Sequence, residues 1–190
     1  MKSIIMALKV FMVFTLLTGG VYPLLITGFS QVMFPGKANG SLIKTGDKVA
    51  GSELIGQQFD SIKYFTSRPS AINYNPLPSG ASNYGLTNAK LKDLVYNRKK
   101  QFLIVNHLDS LTLVPSEMLF ASASGLDAHI SPQAAYLQAE RIANARSLNP
   151  DQRQNLDQLI KNQTETPQLL CLGKERINVL LLNLKLDKIK

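Results

Sequence analysis

Residues 10–33, VFMVFTLLTGGVYPLLITGFSQVM, form a run of 24 positions without a charged side chain. An α-helix of this length extends about 36 Å, at about 1.5 Å per residue. Because the hydrocarbon core of a bilayer is about 30 Å thick, such a helix can span it with some tilt. A cleaved signal peptide would have a shorter apolar core that ends at small residues. Here the run continues beyond the small residues at positions 18–20, which favours an uncleaved anchor.

One face of this predicted helix carries small or helix-bending residues at four-residue intervals, and two further glycines flank that face. These six residues are Thr15, Gly19, Pro23, Thr27, Gly20 and Gly28. Small side chains let a second helix approach closely. Pro23 has no backbone N–H and is expected to bend the helix. A simple anchor needs neither feature, so we predict that this face packs against a helix of another chain.

The apolar run divides the chain into four parts. We predict a cytoplasmic N-terminus (1–9), a transmembrane helix (10–33), a turn-rich linker (34–47) and a folded domain (48–190). A domain of this size crosses a membrane largely regardless of its charge, whereas a short flank stays inside. The folded domain is therefore expected outside the cytoplasm.

The formal net charge of +8 comes from scattered basic residues, and only Arg98, Lys99 and Lys100 cluster. No dense basic stripe with interleaved aromatic residues is present, which argues against a nucleic-acid partner. These charges better suit a solvated face or contact with the anionic surface of the lipid bilayer. Cys171 is the only cysteine, so a disulfide within the chain is impossible.

The pattern of the domain mixes helices with short strands. Capping residues predict helices over residues 88–105, over 131–147 and from 149 onward. Short strands are predicted between 48 and 71 and at 111–114, and alternating leucines predict a strand at 180–186, with a helix not excluded there. The fold class is therefore a single extracytoplasmic α/β or α+β domain, tethered by one N-terminal transmembrane helix.

Residues 72–88, INYNPLPSGASNYGLTN, form a long predicted loop that is rich in proline, glycine and asparagine. Loops of this length in compact domains are often functional, although a plain surface excursion fits the same composition. The candidate interface residues in this loop are Tyr74, Asn75, Ser79, Ser82 and Asn83.

The stretch ASASGLDAHISP, residues 121–132, gathers side chains typical of hydrolytic or phosphate-binding sites. They are Ser122, Ser124, Gly125, Asp127 and His129. The nucleophile motif G-x-S-x-G and the phosphate loop G-x-x-x-x-G-K-[ST] are both absent. Two histidines and one cysteine also offer too few good ligands for zinc. We therefore predict no catalytic residue, no metal site and no cofactor bound by this chain.

A structural role suits this stretch better, because serine and aspartate bond nearby backbone groups in turns and glycine permits unusual backbone angles. We predict that the turn braces the helix beginning at Pro132 or faces a partner. A membrane-anchored serine hydrolase and a nucleotide-binding accessory domain stay open as alternatives. If Gly125 has a positive φ, its replacement by valine should destabilise the domain.

Seven blocks, in order along nearly the whole chain, resemble the C subunit of the bacterial Kdp potassium-transporting ATPase, the KdpC family. They are YPLLITGFSQ (22–31), FPGKANGSLI (34–43), GSELIGQQF (51–59), YFTSRPSA (64–71), YNPLPSGASNYGLTN (74–88), VPSEMLFASASGLDAHISPQAA (114–135) and RINVLLLNLKLD (176–187). Ala128 stands where the family usually has proline, Ala123 and Ala81 where it has glycine, Phe120 where it has threonine and Lys37 where it has glutamine. The two alanines at 123 and 128 are expected to change the exact shape of that loop.

The resemblance implies a single-span, non-catalytic subunit of an ATP-driven, high-affinity potassium importer in the bacterial inner membrane. Its implied partners are a channel-like potassium-translocating subunit, a P-type ATPase subunit and a small hydrophobic peptide. The family's C subunit is needed for assembly and is described as a catalytic chaperone that raises the ATP affinity of the ATPase subunit. With the N-terminus inside, residues 35–190 would face a compartment without ATP. We therefore expect ATP and potassium to be handled by the complex, with this chain holding the outer face of the channel-like subunit.

Overall fold

The computed structural model of the chain describes residues 2–77, 79–169 and 171–189. Its internal contacts divide it into two compact units, Met1–Ser52 and Glu53–Lys190. The second unit thus begins five residues after the predicted domain start at residue 48. The limits predicted for the membrane-spanning part of the helix, residues 10–33, remain a prediction.

The first unit begins with a long apolar helix, Lys2–Met33, which is long and apolar enough to cross a membrane. It consists of α1 (Lys2–Leu16), one π-helical turn (Leu17–Val21) and α2 (Tyr22–Met33). Pro23 explains the interruption, because its ring displaces the carbonyl four residues earlier and offers no N–H to bond it. The helix is therefore irregular just before the position where we predicted a bend.

The helix is followed by the short α3 (Pro35–Ala38) and an antiparallel hairpin of β1 (Leu42–Thr45) and β2 (Lys48–Ser52). Gly46 lies in the connecting turn with a φ of 62°, which a glycine adopts without strain. The predicted linker, residues 34–47, therefore contains a helical turn and a strand.

The second unit combines helices with a short antiparallel strand pair, which confirms the mixed helix-and-strand fold. Its described elements are α4 (Ala89–Val105), a 3₁₀ turn (Ser116–Met118), β3 (His129–Ile130), α5 (Pro132–Ala145), α6 (Pro150–Gln163), β4 (Ile177–Asn178), which pairs with β3, and α7 (Val179–Leu186).

The three predicted helix starts are confirmed by their caps. The Asn88 side chain accepts a hydrogen bond from the Lys90 amide, 2.8 Å away, and Ser131 accepts one from the Ala134 amide at 3.1 Å. Asn149 forms a reciprocal capping box with the residue three positions later. These side chains satisfy amides that have no partner inside the helix, so each start is encoded locally.

Two strand predictions are wrong, and a third is only partly confirmed. Residues 111–114 are irregular and have no neighbouring strand among the described residues. Leu113 is 80% exposed, and Val114 packs against the core without forming a strand. The prediction of short strands between residues 48 and 71 is confirmed only for β2, because the described chain contains no strand between residues 53 and 71. The leucine run forms α7 rather than a strand, because Asn178 caps its first turn and its apolar side chains are buried on a helical face.

The core of the second unit lies among α5, α6 and α7. Its fully buried side chains include Phe65, Ala135, Ile142, Leu156, Ile160, Ile177, Leu182 and Leu186.

Candidate functional site

Asp127 is the centre of the 121–132 turn. Its Oδ1 accepts a hydrogen bond from the His129 amide, 3.0 Å away, and lies 3.3 Å from Nδ1 of the same histidine. Its Oδ2 accepts a hydrogen bond of 2.6 Å from Nη1 of Arg68. One carboxylate thereby joins this turn to a segment 59 residues earlier in the chain.

The surroundings of Asp127 lower its pKa to about 2. Burial by itself raises the pKa, but the hydrogen bonds from His129 and the hydrogen bond and charge of Arg68 outweigh it. The carboxylate is therefore ionised at neutral pH and engaged by two neighbours, as a structural ion pair requires.

The two serines of the turn form bonds to its own backbone. The carbonyl of Ser122 accepts a hydrogen bond from the Gly125 amide, and the hydroxyl of Ser124 accepts one from the Leu126 amide at 3.1 Å. Within the described part of the chain, no hydrogen bond joins either serine to His129. A serine nucleophile needs a hydroxyl that donates to a base. These contacts support turn formation and offer no arrangement for hydrolysis.

Gly125 has a φ of 70°, in the left-handed region that favours glycine. A Cβ at this position would lie 2.6 Å from Cγ1 of Ile72 and 3.0 Å from the carbonyl oxygen of Gly80. Both the backbone angle and the lack of space therefore require glycine here.

The two stretches that the sequence singled out separately lie together. The carbonyl of Ser124 accepts hydrogen bonds from the Ser79 hydroxyl at 3.0 Å and from the Gly80 amide at 3.3 Å. The hydroxyl of Tyr74 donates to the carbonyl of Arg68, the same residue that pairs with Asp127. We call the combined surface of residues 72–88 and 121–132 the loop platform.

The remaining candidate residues differ in exposure. Tyr74 is half-buried, and burial raises the pKa of its hydroxyl. Asn75, Ser82 and Asn83 are exposed and thus available to a partner. Pro78 of the same loop lies outside the described residues.

Two residues of this site were missed by the sequence reasoning. The amide of Gly56 donates to the Leu126 carbonyl at 2.8 Å, and a Cβ on Gly56 would lie 2.6 Å from the Asp127 carbonyl oxygen. The second missed residue is Arg68, which pairs with Asp127. Gly56 and Arg68 lie in the sequence blocks 51–59 and 64–71 that resemble the family, and this resemblance was the signal that could have identified them.

A cavity of about 430 Å³ opens beside this cluster and is lined by side chains of both charges. They include Arg68, Asp127, His129, Glu117, Lys174 and Arg176. The described residues contain no group of three histidine, cysteine, aspartate or glutamate side chains that could hold a metal ion. This mixture of charges suits contact with a polar partner surface that itself carries both positive and negative groups.

The small-residue face of the N-terminal helix is open in the isolated chain. Gly19 and Gly20 lie in the π-helical turn, and the side chains along the helix are exposed. A Cβ at Gly19 or Gly28 would meet no atom within 4 Å. Within this unit, a larger side chain would therefore fit at both positions.

Comparison with known proteins identifies the family. The model of the family described as "K+-transporting ATPase, c chain", KdpC, matches residues 4–188. The chain belongs to this family.

Curated members of the KdpC family match along almost their whole length. A potassium-transporting ATPase KdpC subunit of Escherichia coli O9:H4 is 47% identical over 186 residues, which cover 96% of each chain. The subunit of the same name from Polynucleobacter asymbioticus is 45% identical over 191 residues, covering 98% of this chain and 99% of the relative. That of Escherichia coli O157:H7 is 45% identical over 192 residues.

Membership of the KdpC family confirms the resemblance and supports an accessory role in a potassium transport complex. The apolar helix Lys2–Met33 fits a membrane-anchored protein.

Proposed function

We propose that this chain is a non-catalytic subunit of an ATP-driven potassium importer in the bacterial inner membrane. The carrying observation is the family match over residues 4–188. The helix Lys2–Met33 anchors the chain, with residues 1–9 in the cytoplasm and the second unit outside it. The exposure of the apolar side chains of this helix in the isolated chain supports the anchoring role, because such side chains need lipid or a partner helix around them.

The proposed partners are a channel-like potassium-translocating subunit, a P-type ATPase subunit and a small hydrophobic peptide. The face of Thr15, Gly19, Pro23 and Thr27 packs against a helix of one of them. The open space around Gly19 supports this arrangement, because small residues allow close helix approach.

The loop platform is the proposed contact with the outer face of the channel-like subunit. Its support is structural: Gly125, Ser124 and Ser79 hold the two loops together, while Asn75 and Asn83 stay exposed on the surface. A rigid base with exposed amides at its edge is suited to hold a partner in one orientation.

Any effect of this chain on the ATP affinity of the pump is proposed to be indirect. The second unit lies on the side of the membrane without ATP, so it acts by stabilising one state of its partner subunits. Such coupling requires that the chain bind the two states with different affinity.

Deletion of this chain, followed by complementation, tests the proposal. We expect deletion to abolish potassium-stimulated ATPase activity of the purified complex, and the wild-type chain to restore it. Full activity of a complex that lacks the chain would overturn the proposal.

A matched pair of helix variants tests the small-residue face. Gly19→Leu should insert into the membrane normally but co-purify poorly with the other subunits, whereas Thr18→Leu, on another side of the helix, should co-purify as wild type. Equal recovery of both variants would exclude this face. A reporter fused to the C-terminus tests the topology, and a cytoplasmic signal would contradict it.

A further inference from the structure

A buried arginine in the second unit has no acidic partner among the residues that the structure describes. Arg141 is 4% exposed. Its guanidinium donates to the carbonyls of Ile62 and Tyr64, to Oε1 of Gln138 and to Oδ1 of Asn106, all of which are neutral acceptors. No salt bridge among the described residues involves Arg141. Its positive charge is therefore hydrogen-bonded but not neutralised.

Arg98, on α4, has a similar environment. It is half-buried, and its Nη1 donates to the carbonyl of Leu119 at 2.9 Å. It too lacks an acidic partner within the described chain. Burial lowers the pKa of Arg98 and lowers that of Arg141 to about 10, as expected for cations withdrawn from water without a counter-ion. An uncompensated buried charge is costly, so an anion beside it would be stabilising.

Both arginines line one cavity of about 550 Å³, a volume typical of small-molecule sites. Two further charged side chains line it. Arg68 is already paired with Asp127, and Asp60 accepts a hydrogen bond from the side-chain amide of Gln58 at 2.9 Å. With Arg98 and Arg141 opposed by Asp60 alone, the lining has a net charge of about +1.

The rest of the wall decides what kind of anion fits. Phe59, Phe102, Val105 and Met118 give the cavity an apolar side, and amide and hydroxyl groups line much of the remainder. An apolar body with one singly charged group matches this wall. A doubly charged phosphate would exceed the net charge of the lining and would face Asp60. Guanidinium groups bind carboxylates with two parallel hydrogen bonds, an arrangement open to Arg98. Arg141 already donates four of its five N–H groups to protein acceptors, so it offers a carboxylate one further N–H and its charge.

We propose that this cavity binds a small organic monocarboxylate, held by Arg98 and Arg141 with its apolar body against Phe102 and Met118. The site is separate from the loop platform and does not depend on the assembly role.

Thermal unfolding of the purified full-length chain in detergent tests the site, with benzoate as the probe. Benzamide has the same shape without the charge, and inorganic phosphate tests anions in general. We expect benzoate to raise the melting temperature saturably and the other two to have little effect. Equal or greater stabilisation by benzamide or by phosphate overturns the proposal, as does no effect of benzoate.

Two variants on α4 assign the binding to this cavity. Arg98→Gln should weaken benzoate binding at least about tenfold, the loss expected for one charge-assisted hydrogen bond. Lys100→Gln removes the same charge from an exposed position that does not line the cavity, and should bind as wild type. The melting temperatures without ligand show whether both variants fold. Unchanged affinity in folded Arg98→Gln overturns the proposal.

The assembled complex provides a final comparison. Benzoate binding that persists in the purified complex, and is lost with Arg98→Gln, supports a free ligand. Binding that is present in the free chain and absent in the complex shows that a partner fills the cavity, and overturns the assignment to a free carboxylate.

Discussion

The guanidinium of Arg68 lies 2.6 Å from the carboxylate of Asp127, although the two residues are 59 positions apart. The carbonyl of Arg68 also accepts a hydrogen bond from Tyr74, and the carbonyl of Asp127 lies against Gly56. The segments around Gly56, Arg68 and Asp127, which are separate in the sequence, thus meet at this ion pair. The pair thus ties the loop platform to the segment that contains Arg68.

The Arg68–Asp127 pair should make stability depend on acid pH. The pKa of Asp127 is lowered from 3.8 to about 2 in the folded chain, so the carboxylate stabilises the fold above about pH 4. This contribution, at most about 2 kcal/mol, should disappear as the pH falls toward 2. Denaturant unfolding of the wild type and of Asp127→Asn between pH 2 and pH 7 measures it.

The expected result is a difference in unfolding free energy that is present at pH 7 and shrinks in acid. Asp157→Asn, on the exposed surface of α6, is the matched control and should follow the wild type throughout. A constant difference between wild type and Asp127→Asn would contradict the assigned pKa.

Gly125→Val should destabilise the second unit by about 2 kcal/mol or more. The positive φ disfavours any residue with a side chain, and the added Cβ would clash with Ile72. Gly85→Val is the control, because a Cβ there meets no atom within 4 Å and its φ is not positive. The melting temperature of each variant provides the comparison. Equal values for both would show that position 125 tolerates a side chain.

Asn183 on α7 holds the backbone of Phe65 by two hydrogen bonds of 2.9 Å: its Oδ1 accepts from the Phe65 amide, and its Nδ2 donates to the Phe65 carbonyl. Asn183→Leu should leave both buried backbone groups unpaired and cost about 3 kcal/mol. Asn162→Leu changes an exposed asparagine of α6 and should cost little. Chemical denaturation measures both, and a small cost at 183 would mean that water replaces the lost bonds.

Pro23→Leu should convert the π-helical turn Leu17–Val21 into regular α-helix. Straightening rotates the small-residue face along the helix, so co-purification with the other subunits should fall while membrane insertion is unchanged. Val32→Leu, an exposed position in the same helix, is the control. Recovery of the complex at the wild-type level would remove any role for the irregular turn.

Local signals in the sequence were sufficient for part of this fold. The starts of α4, α5 and α6 follow from Asn88, Ser131 and Asn149, since a cap bonds amides only two or three residues away. The candidate turn was also found, because its serines and aspartate bond within the turn itself. Arg68 and Gly56 were missed since their partners are distant in sequence.

The sequence by itself determined the apolar helix Lys2–Met33 and the capped helices, because these depend on composition and on neighbours within one helical turn. Only the tertiary structure decided that the leucine run became α7 and that the two loops met at Gly125. The period-two leucine pattern is compatible with either a strand or a helix. The helix forms because it buries Leu180, Leu182 and Leu186 in the core of the second unit. Contacts across 45 or more residues, such as Ser79 to Ser124, form only when packing brings the segments together.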